Sequence, residues 1–149
     1  MNDEMKMSHA GLLMMMDAEG LRLEAYPDPG TGGAPWTIGY GHTGSNVAPG
    51  MVITEDEASR LLRDDLHFAE IGVRTYATVP LTQGQFDSLV DFAYNCGIGA
   101  LRGSTLLRKL NSRDYLGASE EFRKWDMAAG KHMAGLAKRR AAEKDMFLS

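Results

Sequence analysis

Residues 25–43 constrain the fold more than any other stretch of this chain. The segment runs Ala25-Tyr26-Pro27-Asp28-Pro29-Gly30-Thr31-Gly32-Gly33-Ala34-Pro35, then Trp36-Thr37-Ile38-Gly39-Tyr40-Gly41-His42-Thr43. Proline removes a backbone donor and clashes inside a helix, and interior glycine costs a helix about 1 kcal/mol. A helix cannot absorb this run. Its aromatic and β-branched residues between glycines and prolines predict a small antiparallel hairpin or a three-strand sheet.

The flanks read as helices. Ser8 caps a first helix to about Glu19, with Leu12, Leu13 and Met16 on one face and Gly20 as the stop. Thr54 and Glu57 have capping-box spacing before a helix through roughly Arg74, with Leu61, Leu62 and Leu66 as its apolar face. Thr82 and Gln85 repeat the box, and Phe86, Leu89, Val90, Ala93 and Tyr94 keep helical period up to Gly97. Shorter helices are expected over Ser104–Leu110, Tyr115–Trp125 and Leu136 to about Met146. The predicted class is α+β: one domain over 1–149, mainly helical. A small β-containing lobe covers about 20–52. A helical lobe covers about 75–149 plus the first helix, with a cleft between the lobes as ligand site.

Composition narrows the function. The apolar share of 44% in 149 residues suffices for a core. Leu12–Met16 is the apolar run that most invites a membrane reading. It falls far short of the roughly 20 residues of a membrane helix. No signal segment is read, so the chain is expected to be cytoplasmic when made, without stable membrane insertion. Cys96 is the single cysteine, which excludes an internal disulfide. The net charge of −4 divides unevenly. Residues 1–100 hold five Lys/Arg against fourteen Asp/Glu, a net of −9, and 101–149 hold eleven against six, a net of +5. The basic section, with Arg108, Lys109 and Lys131 as exposed candidates, could face an anionic polymer or form a solvated helix surface. Nucleic acid is not expected, because the whole is acidic and lacks aromatic-basic interleaving. No histidine or cysteine spacing suits a metal, and Pro29–Pro35 lacks the ending of a phosphate loop.

Glu19, Asp28 and Thr37 form the candidate site. Glycosidic bond cleavage needs one carboxyl group to give a proton and a second to handle water or the sugar cation. Glu19 is placed at a helix C-terminus, where the negative end of the helix dipole favours the protonated form of an acid. Asp28 lies in a turn, where Asp often makes only a local backbone bond. Thr37 is a good strand residue whose hydroxyl could hold a water. Gly39 and Gly41 leave room for a closely approaching backbone or sugar. His42 could be catalytic or structural.

This spacing resembles the active-site segment of the phage lysozymes, the endolysins of glycoside hydrolase family 24. Their pattern is a Glu, an Asp nine residues on, and a Thr opening a Thr-Ile-Gly-x-Gly-His strand. Further similarity follows in order along the chain: Gln85–Asn95, Gly103–Asn111, and Ala134-Gly135-Leu136-Ala137-Lys138-Arg139-Arg140. The resemblance implies a lysozyme-like fold and a monomeric muramidase without cofactor or metal. Its substrate would be the peptidoglycan polysaccharide, cut between N-acetylmuramic acid and N-acetylglucosamine with inversion. Glu19 would be the acid, with Asp28 and Thr37 activating water. It also implies a structural hydrogen bond for His42 near the sheet, an arginine paired with Glu19, Arg139 with Arg140 as the alternative, and a partner such as a holin for release to the wall. The segment from Gly30 to Pro35 departs from compact members by its length. Two rival readings are a lytic transglycosylase, which needs one essential acid, and a non-catalytic wall-binding module.

Overall fold

A computed structural model describes residues 2–149. The element order is α1 (His9–Glu19), β1 (Arg22–Tyr26), β2 (Thr37–Gly39), β3 (His42–Thr43), α2 (Glu55–Tyr76), α3 (Gln83–Cys96), α4 (Ile98–Arg102), α5 (Thr105–Asn111), α6 (Tyr115–Glu121), a 3-10 turn (Phe122–Lys124), β4 (Met127–Ala128), β5 (Lys131–His132) and α7 (Ala134–Leu148). This is the expected α+β chain, mainly helical with small antiparallel sheets. It divides into two compact units.

The unit Met15–His67 holds the three-stranded sheet. Strand β1 pairs antiparallel with β2, Arg22 opposite Gly39 and Tyr26 opposite Thr37, with an irregularity between these pairs. Strand β2 pairs with β3, Thr37 opposite Thr43 and Ile38 opposite His42. Two further backbone bonds, Ala25 N–H to Met51 O and Ile53 N–H to Leu23 O, both 2.9 Å, tie the outer edge of β1 to the chain leading into α2. Side chains alternate along strands, so burying one face selects Ala25 and Ile38. They join Val47, Ile53 and Ala58 in a small core, with Leu21, Trp36 and Tyr40 packed against it. The Thr54–Glu57 capping box forms, with each residue bonded to the other's backbone or side chain.

The other unit joins the residues before Met15 to Phe68–Ser149. Thr82 and Gln85 cap α3 reciprocally, and Gly97 ends it at φ 101°. Helix α3 packs against α7, and both feed an aromatic cluster. Phe92 meets Phe122 edge-on with centroids 5.8 Å apart and Trp125 at 5.2 Å, while Phe122 meets Phe147 at 5.5 Å. Burying such side chains contributes roughly 1.5–3 kcal/mol each. At the start of α1, Ser8 accepts from Gly11 N–H as an N-cap and also bonds to Asp87 of α3 through its backbone N–H and hydroxyl. Gly11 is required there, because a Cβ would stand 2.6 Å from the Asp87 carboxyl carbon.

Three features depart from the expected element list. The short helix α4 follows Gly97. The region expected as helix through Trp125 ends in a 3-10 turn. A two-stranded hairpin, β4–β5, precedes α7. Register pairs Met127 with His132 and Ala128 with Lys131. That leaves Ala129 and Gly130 as a two-residue loop, at φ 51° and 78°. Positive φ at both positions is what a tight hairpin of this twist requires.

Candidate active site

Glu19 is the last residue of α1, and Gly20 follows it at φ 74°. Helix geometry thus delivers a half-buried carboxylate where the chain turns into β1. Opposite it sits Gly41, at φ 84° between β2 and β3. A Cβ at Gly41 would stand 2.8 Å from Glu19 Oε1. What approaches Gly41 is thus the side chain of the candidate acid, where a backbone or sugar was expected. A side chain at position 41 would displace the carboxylate and would also have to accept a left-handed backbone.

Asp28 and Thr37 lie at the other end of the same strand pair. Thr37 faces Tyr26 across the ladder, two residues before Asp28. Ile38 beside it points into the core, fully buried, so Thr37 points to the opposite face. Arg22 to Tyr26 is four residue steps, roughly 13 Å of strand, and Glu19 and Asp28 flank β1 in the chain. Asp28 makes the local backbone bonds that a turn Asp is expected to make. Its Oδ2 accepts from Gly30 N–H at 3.0 Å and Thr31 N–H at 3.1 Å. Its carbonyl accepts from Gly32 N–H at 2.8 Å, and its own N–H donates to Gly33 O at 2.9 Å. Thr31 continues the pattern, its hydroxyl donating to Ala34 O and accepting from Gly33 N–H. The longer loop thus closes on Asp28, holding the carboxylate through Oδ2 and leaving Oδ1 without a described partner.

His42 is committed on both ring nitrogens. Nδ1 lies 2.7 Å from Asp65 Oδ2 on α2, and Nε2 lies 3.2 Å from Asn46 Oδ1. It ties β3 to α2 and to the following loop.

Arg139 and Arg140 do not belong to a solvated helix surface. Both are buried, at 8% and 1% exposure. Arg139 grips Asp91 of α3 with two parallel bonds, Nε to Oδ2 at 3.0 Å and Nη2 to Oδ1 at 2.9 Å. Arg140 pairs with Glu143, Nη2 to Oε2 at 2.9 Å and Nε 2.6 Å from Oε1, the latter off the hydrogen-bonding axis. It also donates to Asn95 Oδ1 and to Cys96 Sγ. A buried charge is tolerated only when paired, and this network pairs every one. Burial pushes the Glu143 carboxyl well above its ordinary range, and a hydrogen bond with Asp91 adds to the rise. Burial also lifts Asp91, but the bonds from Glu143 and Arg139 outweigh it and leave that carboxyl below its ordinary value. Burial raises the Cys96 thiol against the pull of Arg140. Sequence reasoning placed Asp91, Asn95 and Glu143 on helices but gave them no role. The Asp91 and Glu143 signal was available only as charges at core-facing positions.

No group of three or more His, Cys, Asp or Glu residues among the described residues is placed to hold a metal. The described chemistry is that of carboxylates, one strand hydroxyl and a glycine-lined turn, an arrangement suited to acid-catalysed cleavage. The phage lysozyme family model matches residues 16–143. The chain belongs to that family. An endolysin of Bacillus phage B103 is 48% identical over 97% of this chain, and an endolysin of Salmonella phage P22 is 42% identical over 97%. The chain spans 99% of the P22 protein but only 55% of the B103 protein, so it covers about half the length of the Bacillus phage relatives. Among solved structures, the muramidase domain of SpmX from Asticaccaulis excentricus superposes with a TM-score of 0.88. It is 38% identical, covering 97% of this chain and 98% of that one. The fold is that of the lysozymes.

Proposed function

We propose that this chain hydrolyses the β-1,4 bond between N-acetylmuramic acid and N-acetylglucosamine in bacterial peptidoglycan, as an endolysin that lyses the host cell. Glu19 protonates the leaving oxygen, and Asp28 with Thr37 holds and activates the water that attacks the anomeric carbon. The observation that carries this reading is the seating of Glu19 Oε1 against Gly41, at one end of the strand pair whose other end carries Asp28 and Thr37. Family membership and relatives described as endolysins support the substrate class. No described helix is long and apolar enough to cross a membrane. The proposed site of action is the wall, reached after release from the cytoplasm, by a monomer without nucleic-acid partner.

Clearing of a cell-wall suspension tests the assignment. Glu19→Gln keeps the shape but has no proton to give, and loss of a general acid removes about 10²–10⁴-fold in rate. Asp28→Glu retains part of the activity and Asp28→Ala far less, because another anion can act on water and a methyl group cannot. A folded Glu19→Gln protein that clears walls at the parent rate refutes the role of Glu19. Full activity in Asp28→Ala moves the water-activating role elsewhere.

A further inference from the structure

At the end of α3 the chain presents an exposed amide, Asn95, whose orientation is not left to solvent. A guanidinium only donates, so the group it meets must be an acceptor. Arg140 Nη2 donates to Asn95 Oδ1 at 2.8 Å, and the Cys96 thiol approaches the same oxygen at 3.8 Å. The amide oxygen is therefore turned inward, and its NH2 group, for which no acceptor is described, is turned out. Arg140 itself cannot follow a moving partner. It is buried, held by Glu143 on one side, and its guanidinium lies 5.2 Å from the centre of the Phe92 ring. Exposed amides ordinarily rotate and lose that freedom on binding, and a clamped one avoids much of this cost.

The clamped amide borders a recess of about 410 Å³ with a mixed lining: Trp125, Met127 and Leu136 give it an apolar side, and Cys96, Lys124 and Arg140 complete it. Lys124 is engaged by Glu121, and Arg140 by Glu143, Asn95 and Cys96, so the outward amide of Asn95 is the donor left to a ligand there. An apolar side next to such a fixed donor matches an acetamido group, which carries a methyl next to a carbonyl oxygen. We propose that Arg140 is a positioning residue that makes Asn95 a fixed donor to an N-acetyl carbonyl of the wall glycan, with the apolar walls of the recess taking the methyl. This rests on the wall-hydrolase reading above and adds to it a basis for recognising N-acetylation.

Asn95→Asp separates the role from structure. A carboxylate still accepts from Arg140, so the clamp and the melting temperature are kept, while the outward donor becomes an acceptor. Losing one such hydrogen bond corresponds to about a tenfold change in affinity. The experiment compares steady-state kinetics on soluble glycan strands before and after chemical de-N-acetylation. The expected result is a KM about tenfold higher for the variant on N-acetylated strands, with kcat little changed. De-N-acetylated strands carry an ammonium group instead, which a carboxylate at position 95 does not repel, so the variant should show no rise in KM there. An unchanged KM on N-acetylated strands overturns the proposal, as does an equal shift on both substrates or a loss confined to kcat. A parent protein that cuts neither substrate refutes the hydrolase reading itself, which is a separate result.

Discussion

Replacing Gly41 by alanine probes the contact on which the site reading depends. Two costs can be read from the geometry. The first is backbone strain. Gly41 sits at φ 84°, and a left-handed conformation costs an L-residue roughly 1–2 kcal/mol. For a chain of this size that corresponds to a melting temperature lower by about 2–8 °C. The second is the clash. The new Cβ would stand 2.8 Å from Glu19 Oε1, where ordinary contact begins at 3.4 Å, so the gap must open by about 0.6 Å. A misplacement of 1 Å at a reacting group costs roughly 10²-fold in rate, so the expected loss is about 10–100-fold. Gly50 supplies the control. It has the same φ of 84° but nothing within 4 Å of a built Cβ. Gly50→Ala should therefore show the stability loss without the activity loss. Thermal unfolding and wall-clearing rates of the two variants, measured side by side, decide the matter. If Gly41→Ala clears walls as fast as Gly50→Ala, the carboxylate beside Gly41 is not the catalytic acid.

Two further expectations concern charge. The depressed Asp91 stabilises the fold above its ordinary value of 3.8, and this is lost as pH falls through its folded value. The raised Glu143 stabilises fully below its ordinary value of 4.5, and this is lost as pH rises toward its folded value. Glu143→Gln mimics the protonated acid without the titration, so its melting temperature should gain on the parent as pH rises from 4.5 to 7. A gap that stays constant across that range contradicts a proton held between the two carboxyls. In the basic C-terminal section, Arg108, Lys131 and Lys138 are exposed, whereas Lys109 bonds the buried Glu121 at 3.1 Å and is unsuitable for reversal. Wall clearing should slow as salt rises, since exposed charges are screened over about 8 Å at physiological ionic strength. Reversing those three exposed residues should slow association and spare turnover of a short soluble substrate. Lysis indifferent to both changes returns these charges to an ordinary solvated surface.

Where local chemistry decides the structure, the sequence was readable. Ser8, Thr54 and Thr82 are short hydroxyl side chains that cap only in one geometry, and each begins a helix within a residue of its expected place. Gly20 and Gly97 end helices because their positive φ excludes most other residues. The glycine and proline run forced strands where periodicity could not. Illegible parts depended on partners distant in sequence. Helix α4 was hidden by Gly97, Gly99 and Gly103, which lower helix propensity below what its packing overrides. The β4–β5 hairpin carries Ala129 where Asn or Asp would have advertised the turn. The bonds of Arg139 to Asp91 and of Arg140 to Asn95 were hidden because a single sequence does not reveal which residues 48 and 45 positions earlier lie within reach. In the candidate site, the residue types were legible, while the contact of Gly41 with Glu19 and the closure of the loop on Asp28 were not.

Mass analysis of the fragments released from purified peptidoglycan tests the central claim most directly. Hydrolysis adds a water, so the account predicts reducing N-acetylmuramic acid ends from the parent protein and no fragments above background from Glu19→Gln. Fragments ending in 1,6-anhydro-N-acetylmuramic acid, one water lighter, would contradict it, because they form when no water attacks and would leave Asp28 and Thr37 without the role assigned to them.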